Sequence, residues 1–384
     1  MNARKRPFRV ITSALLVLFL LPMVSGCISI RFGPQKTTTP VVTTTTAKPT
    51  AATAGTTSLS TTPAGTTTPA TTVQPTTAAT TAAPIPSGAG LFGNTNGNLA
   101  NGGFAVYDPV TSSHLLGING ALLRYDPKTG TTTTLLERPD RPTHLLVGED
   151  HYYFISSSDQ AFYRVSHDGS GLVKLADGPC TYAGRTNHYI QLLQGGQLVL
   201  LYDGEDDPPK MIYSGEGIRE PSMGSNRVYY ISGEGEYRVS ANTGMGKSTV
   251  YKGAAFQAVH HLFYNTNDQF VYVDRQGAGE TVFLLPSLGE PSALAAVGTH
   301  ASIPSLNTDT TGRTLYYIGY VDSIPVFYSL DLTSGSAKPV EIARLEGTMP
   351  RVCIVQGMFY VLDAQNGTMV RLDPDTGATE PVMP

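Results

Sequence analysis

Residues Thr143–Gly178 read THLLVGEDHYYFISSSDQAFYRVSHDGSGLVKLADG and contain four short stretches of apolar and aromatic residues. Gly, Asp and Ser separate the stretches, which is the pattern of β-strands joined by tight turns. The aromatic second stretch and the Arg-containing third stretch recur at intervals of about 40 residues along the chain. Four strands per unit at that interval predict an all-β protein, a β-propeller of four-stranded blades.

Two patterns recur together in these units. The third strand ends in Asp or Ser followed by Gly, and such a side chain can hydrogen-bond the backbone two residues on, which predicts tight hairpins. We count seven modules, and a β-sandwich of short strands is the alternative. The second tyrosine of the second strand marks the modules at Tyr153, Tyr189, Tyr230, Tyr272, Tyr317 and Tyr360, with Leu116 in the equivalent place of an earlier copy. The third-strand Asp or Ser stands at Asp126, Ser166, Asp203, Ser240, Asp331 and Asp373.

Residues 1–26 have the features of an export signal. Several basic residues precede an apolar run that ends at Val24, and this run is too short for a typical membrane span. The stretch Val24-Ser25-Gly26-Cys27 resembles the bacterial lipobox, which implies cleavage before Cys27 and lipidation of that cysteine. An uncleaved membrane anchor is the alternative. We therefore expect a lipoprotein signal peptide, and a protein held by lipidated Cys27 at the outer face of the bacterial cell membrane.

Residues 27–91 form a linker dominated by Thr, Ala and Pro. Such a composition cannot bury an apolar core, so we expect the linker to be disordered or extended. The propeller domain then occupies residues 92–384. It begins with GNTNGNLANGG (Gly93–Gly103), where the density of Gly and Asn indicates a compact lead-in with left-handed backbone positions.

The net charge limits the classes of partner, and the positions of the cysteines predict their redox state. No Asp or Glu and seven of the 26 Lys and Arg precede residue 92, so the rest of the chain carries a net charge of −11. This charge disfavours nucleic acid and anionic lipid, and we expect membrane contact through the lipid anchor only. Cys180 and Cys353 fall on the innermost strands of different modules, so we predict two free, buried thiols. We expect no cofactor and a monomer.

Catalytic and metal-binding motifs are weak in this sequence. Residues 241–248 match a relaxed P-loop pattern, but a strand follows them where a phosphate-binding loop needs a helix. The acidic cluster Asp203, Glu205, Asp206 and Asp207 is interpreted as a solvated turn, because its spacing does not suit a calcium loop. His260 and His261 are adjacent on a strand and should point to opposite faces. We therefore predict no metal site and no catalytic residue.

The lead-in GNTNGNLANGGFAVYD, with the repeated aromatic strands and Tyr-Arg-Val turns, resembles the extracellular low-density-lipoprotein-receptor-related-protein-like β-propeller domain. The likeness covers about residues 92–384, and the family implies a ligand-binding role on the bacterial surface without supplying catalytic residues. The chain departs from the receptor pattern because it has no Trp and no Tyr-Trp-Thr-Asp motif. Receptor propellers have six blades, so six blades remain the alternative to the seven modules counted.

A ligand of a propeller usually binds where the innermost strands open onto the central channel. Arginines beside Tyr and His can hold a carboxylated or sugar-like ligand, although pairing with Asp140 and Glu220 to satisfy a polar rim is the alternative. The candidate ligand-binding residues are Arg141, His144, Tyr182, Arg219, Glu220 and Arg351, with Asp140, Gln257 and Ser302 also delivered to this rim.

Three functions fit the sequence. The first is a membrane-tethered module that binds a protein, a peptide or a cell-wall glycan. The second is an extracellular glycan-active enzyme, a lyase or hydrolase, with its site at the channel mouth. The third is a structural or assembly partner of a membrane complex. The missing catalytic motifs favour binding over catalysis.

Overall fold

The structure is a computed structural model that describes residues 92–382 apart from several short segments. The segments outside the description are 187, 205–209, 215–216, 225–226, 235, 242–246, 253–258, 266–268, 277–278, 287–291, 297–302 and 335–337. The predicted signal peptide, the predicted lipidation site Cys27 and the predicted linker therefore lie outside the described residues, as do Gln257, Ser302 and the acidic residues Glu205–Asp207.

The described chain folds into seven four-stranded antiparallel sheets, each with its strands in sequence order. Blade 1 contains β1 (Ala105–Asp108), β2 (Ser113–Ile118), β3 (Ala121–Asp126) and β4 (Thr131–Glu137). Blade 2 contains β5 (Pro142–Val147), β6 (His151–Ser156), β7 (Phe162–Ser166) and β8 (Val173–Ala176). Blade 3 contains β9 (Cys180–Thr186), β10 (Tyr189–Gln194), β11 (Gln197–Tyr202) and β12 (Lys210–Ser214).

The remaining four blades repeat this arrangement. Blade 4 contains β13 (Arg219–Met223), β14 (Arg227–Ile231), β15 (Glu236–Ala241) and β16 (Lys247–Lys252). Blade 5 contains β17 (Val259–Tyr264), β18 (Gln269–Gln276), β19 (Gly279–Pro286) and β20 (Ser292–Ala296). Blade 6 contains β21 (Ser305–Thr308), β22 (Thr314–Val321), β23 (Ile324–Asp331) and β24 (Val340–Arg344), and blade 7 contains β25 (Pro350–Val355), β26 (Met358–Asp363), β27 (Met369–Leu372) and β28 (Thr379–Pro381).

The first strands of the blades form the inner ring of a β-propeller, as the sequence predicted. Contacts between first strands run from β1 through β5, β9 and β13 to β17, and from β21 through β25 back to β1. Blades 5 and 6 are joined by the Ile303 amide, which donates to the Glu280 carboxylate. The ring closes between blade 7 and blade 1, each formed from its own continuous segment of chain.

The core lies between adjacent blades, and the marker tyrosines are its largest side chains. Five of them, in β6, β14, β18, β22 and β26, are almost completely buried: Tyr153, Tyr230, Tyr272, Tyr317 and Tyr360. The clusters they join bridge neighbouring sheets; for example, Leu116 of blade 1 packs with Cys353 and Tyr360 of blade 7. Burying an aromatic side chain is worth about 1.5–3 kcal/mol, so these positions hold the blades together.

One marker is out of register. Tyr189 is the first residue of β10 and is only partly buried, whereas Leu192 in the middle of that strand is fully buried in the core. The prediction that Tyr189 is equivalent to Tyr153 is therefore wrong, because blade 3 fills the mid-strand position with leucine.

The hairpin prediction is confirmed where the structure describes the turns. The Oδ1 atom of Asp126 accepts from the Lys128 amide at 2.8 Å, and Asp331 accepts from the Thr333 amide at the same distance. Asp373 accepts from the Asp375 amide at 2.9 Å. Each bond spans two residues, which is the Asx-turn geometry expected of an Asp that closes a tight turn. Cys180 and Cys353 are free and buried, also as predicted.

Candidate functional site at the mouth of a plugged channel

The lead-in Gly93–Gly103 (the plug) occupies the channel between the inner strands. It contains one helical turn, α1 (Asn96–Ala100), whose N-cap Thr95 accepts from the Asn98 amide. This turn contacts the first strands of blades 3 to 7. The compact lead-in was expected, but the helical turn and its place in the channel were not.

Asparagine side chains connect the plug to the inner strands. Asn96 Oδ1 accepts from the Met223 amide at 2.9 Å, and its Nδ2 donates to the carbonyls of Met223 and Tyr264. These atoms belong to blades 4 and 5. A side-chain amide carries a donor and acceptors like a peptide group, so Asn can satisfy the exposed inner edge of a strand.

The other asparagines of the plug do the same for blades 1, 2, 6 and 7. Asn94 Nδ2 donates to the carbonyls of Ala105 at 3.1 Å and Leu145 at 3.0 Å, in blades 1 and 2. Asn101 Nδ2 donates to the carbonyl of Leu306 in blade 6 at 2.8 Å. Blade 7 is bound by Asn98, a residue that is 1% exposed.

The plug leaves no room for a chain to pass through the channel. A Cβ atom on Gly97 would lie 2.0 Å from the Asn307 side chain, and one on Gly103 would lie 2.9 Å from the His144 Cα atom. The His144 amide donates to the Gly102 carbonyl at 2.6 Å. The channel is therefore closed beneath the level of His144, and the end at which the inner strands begin is called the mouth.

Three inner strands carry the same β-bulge at this mouth. The register shifts between Thr143 and Leu146, between Arg219 and Ser222, and between His260 and Phe263, so that two residues oppose one in each strand. The first bulge residues have φ values of 49°, 50° and 51°: His144, Glu220 and His261. Bulges re-aim side chains, and a positive φ is strained for residues other than glycine.

Backbone strain at the same level in three blades indicates a functional site. The bulges place an imidazole from blade 2, a carboxyl group from blade 4 and an imidazole from blade 5 at the mouth. A positive φ at one such residue costs about 1–2 kcal/mol. This conformation persists only where the surrounding structure imposes it. Sequence alone gives no indication of these bulges, because no glycine occupies them.

Arg351 supplies the central charge of the mouth. It is the second residue of β25 and is half-buried. Burial lowers the pKa of Arg141, and the Arg351 guanidinium lowers it further. The Arg351 charge also acts on His144, His261 and Glu220, which belong to blades 2, 5 and 4. Arg141, His144 and Glu220, which the sequence placed at the mouth, are thus brought together around Arg351, and His261 joins them.

The histidines at the mouth are held neutral. Burial, reinforced by Arg351, lowers the pKa of His144 to about 4. Burial, His260 and Arg351 lower the pKa of His261 to about 3, and the backbone of Ala100 in the plug hydrogen-bonds its imidazole. Burial raises the pKa of Glu220, which accepts from the Leu262 amide at 3.2 Å.

The rim-pairing alternative does not hold for Arg141. Asp140 is bound by Arg138 Nε at 2.8 Å and by the Ser156 hydroxyl, both outside the candidate set. Within the described residues, neither Arg141 nor Arg351 has a carboxylate within salt-bridge distance, and Arg141 Nε is buried without a hydrogen-bond partner. Two of the three predicted arginines therefore remain as unpaired cations in the part of the chain that the structure describes.

The other predicted residues line the wall of the mouth. Arg219 Nη1 donates to the Val259 carbonyl, which ties blade 4 to blade 5. Tyr182 lies on β9, is 5% exposed and meets the His144 ring edge-to-face at 5.9 Å. Its buried hydroxyl has no hydrogen-bond partner among the described residues.

The predicted geometry of the histidine pair is wrong. His260 and His261 were expected on opposite faces of a strand, but their ring centroids lie 5.0 Å apart. The bulge at His261 breaks the alternation that a regular strand imposes. His260 reaches Glu280, with Nε2 3.5 Å from Oε2. In the described part of the chain, no group of three or more His, Cys, Asp or Glu side chains is arranged to hold a metal ion.

Asp203 is not a solvated turn residue. Its side chain is 5% exposed and accepts from Arg185 Nε at 2.8 Å and from the Tyr153 hydroxyl. The rest of the predicted acidic cluster lies outside the described residues, as does the centre of the P-loop-like stretch. None of the helices in the described ranges is long and apolar enough to cross a membrane.

The fold is shared with known β-propellers. Neither a protein-family model nor a curated protein matches the chain. An oligogalacturonate lyase in complex with manganese aligns with a TM-score of 0.50 and 11% identity, covering 76% of this chain and 89% of that one.

Two further solved structures align over similar lengths. An inactive variant of virginiamycin B lyase from Staphylococcus aureus, solved with quinupristin, gives a TM-score of 0.50 at 12% identity and covers 67% of this chain and 89% of that one. The nidogen/laminin complex gives 0.43 at 11% identity and covers 71% and 93%. Identities this low establish a common fold and nothing about activity.

Proposed function

We propose that this protein is a surface-tethered lipoprotein whose propeller binds a carboxylate-bearing ligand at the plugged channel mouth. The observation that supports the proposal is the pair Arg141 and Arg351, two half-buried guanidinium groups without an ion-pair partner among the described residues. An anion bound beside them would offset their mutual repulsion.

The energetic argument rests on burial of like charge. A buried charge is costly unless it is paired, and arginine stays protonated because its pKa is too high for it to become neutral. Arg141 and Arg351 therefore repel each other at any physiological pH. A carboxylate removes this repulsion and can form two parallel hydrogen bonds with a guanidinium group. The neutral imidazoles of His144 and His261 add hydrogen-bonding groups without adding charge.

The tether is the second part of the proposal. The lipobox-like stretch before Cys27 supports lipidation, and the composition of residues 27–91 supports an extended linker. As a flexible coil, the part of the linker from Gln35 to Gly90, about 55 residues, spans roughly 40 Å, which would lift the propeller away from the bilayer. Cells fed radioactive palmitate should label the protein, and Cys27→Ala should abolish the label. Labelling that survives Cys27→Ala would contradict this part.

Ligand binding can be tested with simple anions. The full chain in detergent micelles is heated with glucuronate, citrate or inorganic phosphate, and the unfolding temperature is recorded. A ligand that binds only the folded state at 100 times its dissociation constant stabilises by about 2.7 kcal/mol, so the unfolding temperature rises. The variant Arg351→Gln should lose this rise.

A matched control removes an arginine elsewhere. Arg344 is exposed on β24 and pairs with Glu341, so Arg344→Gln changes the net charge equally without touching the mouth. This variant should respond to anions as the unaltered protein does. Equal responses of Arg351→Gln and Arg344→Gln would reject the mouth as the binding site.

A second candidate function, an extracellular glycan lyase or hydrolase, is favoured by one observation. Glu220 has a raised pKa and lies at the mouth with the neutral His261, and a carboxyl group with a raised pKa beside a neutral imidazole can exchange protons with a substrate. Turnover of a polysaccharide that is lost in Glu220→Gln, and in an Arg219→Ala, His144→Ala double variant, would establish it.

A further inference from the structure

The plug limits how a ligand can bind at the mouth, because it blocks the channel below. The imidazole of His261 is hydrogen-bonded to the backbone of Ala100, and the His144 amide donates to the Gly102 carbonyl, so the plug lies directly beneath both bulges. A polymer cannot thread past this floor. A ligand that reaches the guanidinium groups must therefore do so with an end or a side branch.

Arg351 lies inside the inner strand and Met349 lies before it. Arg351 is the second residue of β25, so it is further along the channel wall than Met349. Arg351 is half-buried, whereas Met349 is 50% exposed. An anionic group must descend into the mouth to reach Arg351.

Apolar side chains are exposed on segments close to the start of β25. Met349 lies just before β25, and Ile324, which is 42% exposed, begins β23 in the neighbouring blade. The segments that carry them are tied together, because the Tyr320 hydroxyl donates to the Thr348 carbonyl at 2.7 Å and the Leu345 amide donates to the Pro325 carbonyl at 2.8 Å. An anion site with an exposed apolar border fits an amphipathic ligand.

We infer that the mouth receives the free carboxyl end of a peptide, whose last apolar side chains lie against Met349 and Ile324. The inference rests on the proposed anion site and adds the ligand class. A terminal carboxylate is the one backbone anion of a peptide, and it can form bidentate bonds with Arg351. The apolar border favours a peptide over a sugar acid, as does the absence of Trp, the residue best suited to stacking on a sugar ring.

The test uses labelled hexapeptides and the full chain in detergent micelles. A library with free carboxyl ends and Leu, Val or Phe at the last two positions is screened by fluorescence anisotropy. The tightest peptide is then remade as its C-terminal amide, and as an amide with Glu at an internal position. We expect the free acid to bind at least about tenfold more tightly than either amide.

Two variants and a control locate the binding. Arg351→Gln should abolish the preference for the free acid, and Met349→Ser should weaken binding of the apolar peptide while leaving binding of citrate unchanged. Arg344→Gln, in the exposed outer strand of blade 6, should bind like the unaltered protein.

The outcomes separate this inference from the proposed function. Equal binding of the acid and the amides would overturn recognition of the carboxyl end. Arg351-dependent binding of glucuronate or phosphate without any peptide binding would overturn the peptide ligand and leave the anion site in place. If no anion binds in an Arg351-dependent manner, both proposals fail.

Discussion

Asn98 and Ile354 exchange two hydrogen bonds across the channel. Asn98 Nδ2 donates to the Ile354 carbonyl at 3.0 Å, and the Ile354 amide donates to Asn98 Oδ1 at 2.7 Å. The side chain of the plug thus pairs with β25 as another strand would. Asn307 of blade 6 also donates to Asn98 Oδ1, at 2.8 Å. One amide therefore links two blades and closes the inner edge of the ring.

Asn98→Ala should destabilise the propeller. The substitution leaves the Ile354 amide, the Ile354 carbonyl and the Asn307 amide group buried without these partners, and each unsatisfied buried group costs about 1–3 kcal/mol. We expect the free energy of unfolding to fall by about 3 kcal/mol or more. Denaturant titration followed by tyrosine fluorescence measures the loss.

The control is Asn119→Ala, which removes the same side chain from an exposed hairpin in blade 1. Exposed substitutions usually change stability by less than about 0.5 kcal/mol. Similar midpoints for the two variants would mean that the plug does not hold the blades together.

Gly97→Ala tests the fit of the plug without removing a polar group. The new methyl group would lie 2.0 Å from Asn307 Oδ1, a distance that forces the Asn307 side chain to move. Overpacking of this kind costs about 1–3 kcal/mol. The measurement is the same denaturant titration.

Gly195→Ala is the matched control. Gly195 has a φ of 54°, but among the described residues no atom lies within 4 Å of the place that an alanine Cβ would take. Alanine there meets backbone strain alone, which costs about 1–2 kcal/mol. Because the two expected losses overlap, the tight fit is contradicted if Gly97→Ala costs less than about 1 kcal/mol, the lower limit for overpacking.

The fold could be predicted because its determinants are local. The spacing of Tyr153, Tyr230 and Tyr272 reports one buried position per blade, and the Asp that ends a third strand closes its own turn. Tyr189 shows the limit of this method. It lies near the expected spacing, yet the structure places Leu192 in the core instead, since register depends on which residues pack rather than on the spacing of one residue type.

The site could be predicted only in part. The candidate residues could be assigned to the mouth because the repeats locate the first strand of each blade. His261 was not predicted as a site residue, and the predicted direction of its side chain was wrong. The bulges at His144 and His261 contact the plug, and these residues carry no local signal for a positive φ. The sequence does show the asparagines of the plug, which alternate with small residues. This alternation could have predicted side chains that hydrogen-bond the edges of the inner strands.

Stability should depend on pH through His114, which lies between blades 1 and 7. His114 is 1% exposed, its Nδ1 lies 2.6 Å from the Tyr360 hydroxyl, and burial together with Arg371 lowers its pKa to about 4. Between pH 6.5 and about 4 the unfolded chain binds a proton that the folded protein does not. The free energy of unfolding should fall in this window, by up to about 1.4 kcal/mol per pH unit from this group.

The His114→Gln variant isolates this contribution. Carboxyl groups also titrate at acid pH, so the informative quantity is the difference in pH slope between the variant and the unaltered protein. The variant should have the shallower slope between pH 6.5 and 4, whatever its absolute stability. His188→Gln removes an exposed histidine and serves as the control. Parallel slopes for all three proteins would show that His114 is protonated equally in both states.

The buried thiols should be inert in the folded protein. Burial raises the pKa of Cys180 to about 11 and that of Cys353 to about 12, so neither forms the reactive thiolate near neutral pH. A thiol reagent should label no cysteine in the native protein and two after unfolding without reductant. A third reactive thiol would be Cys27 and would contradict its lipidation.

The ion pair between Arg185 and Asp203 should be costly to break from one side. Their side chains are 2% and 5% exposed, and Glu149, at 3.9 Å from Arg185, is itself half-exposed. Asp203→Asn leaves the Arg185 charge without its buried partner and should cost about 3–5 kcal/mol. An exposed pair gives the comparison, since Glu341→Gln beside Arg344 should cost less than about 1 kcal/mol.

A double variant separates burial of charge from loss of contact. Arg185→Met combined with Asp203→Leu removes both charges while keeping apolar volume between blades 2 and 3, and apolar replacements of buried pairs are often neutral or stabilising. The double variant should therefore be more stable than Asp203→Asn alone. If it is less stable, the hydrogen bond from the Tyr153 hydroxyl to Asp203 contributes more than the charge pair, because the double variant also removes that acceptor.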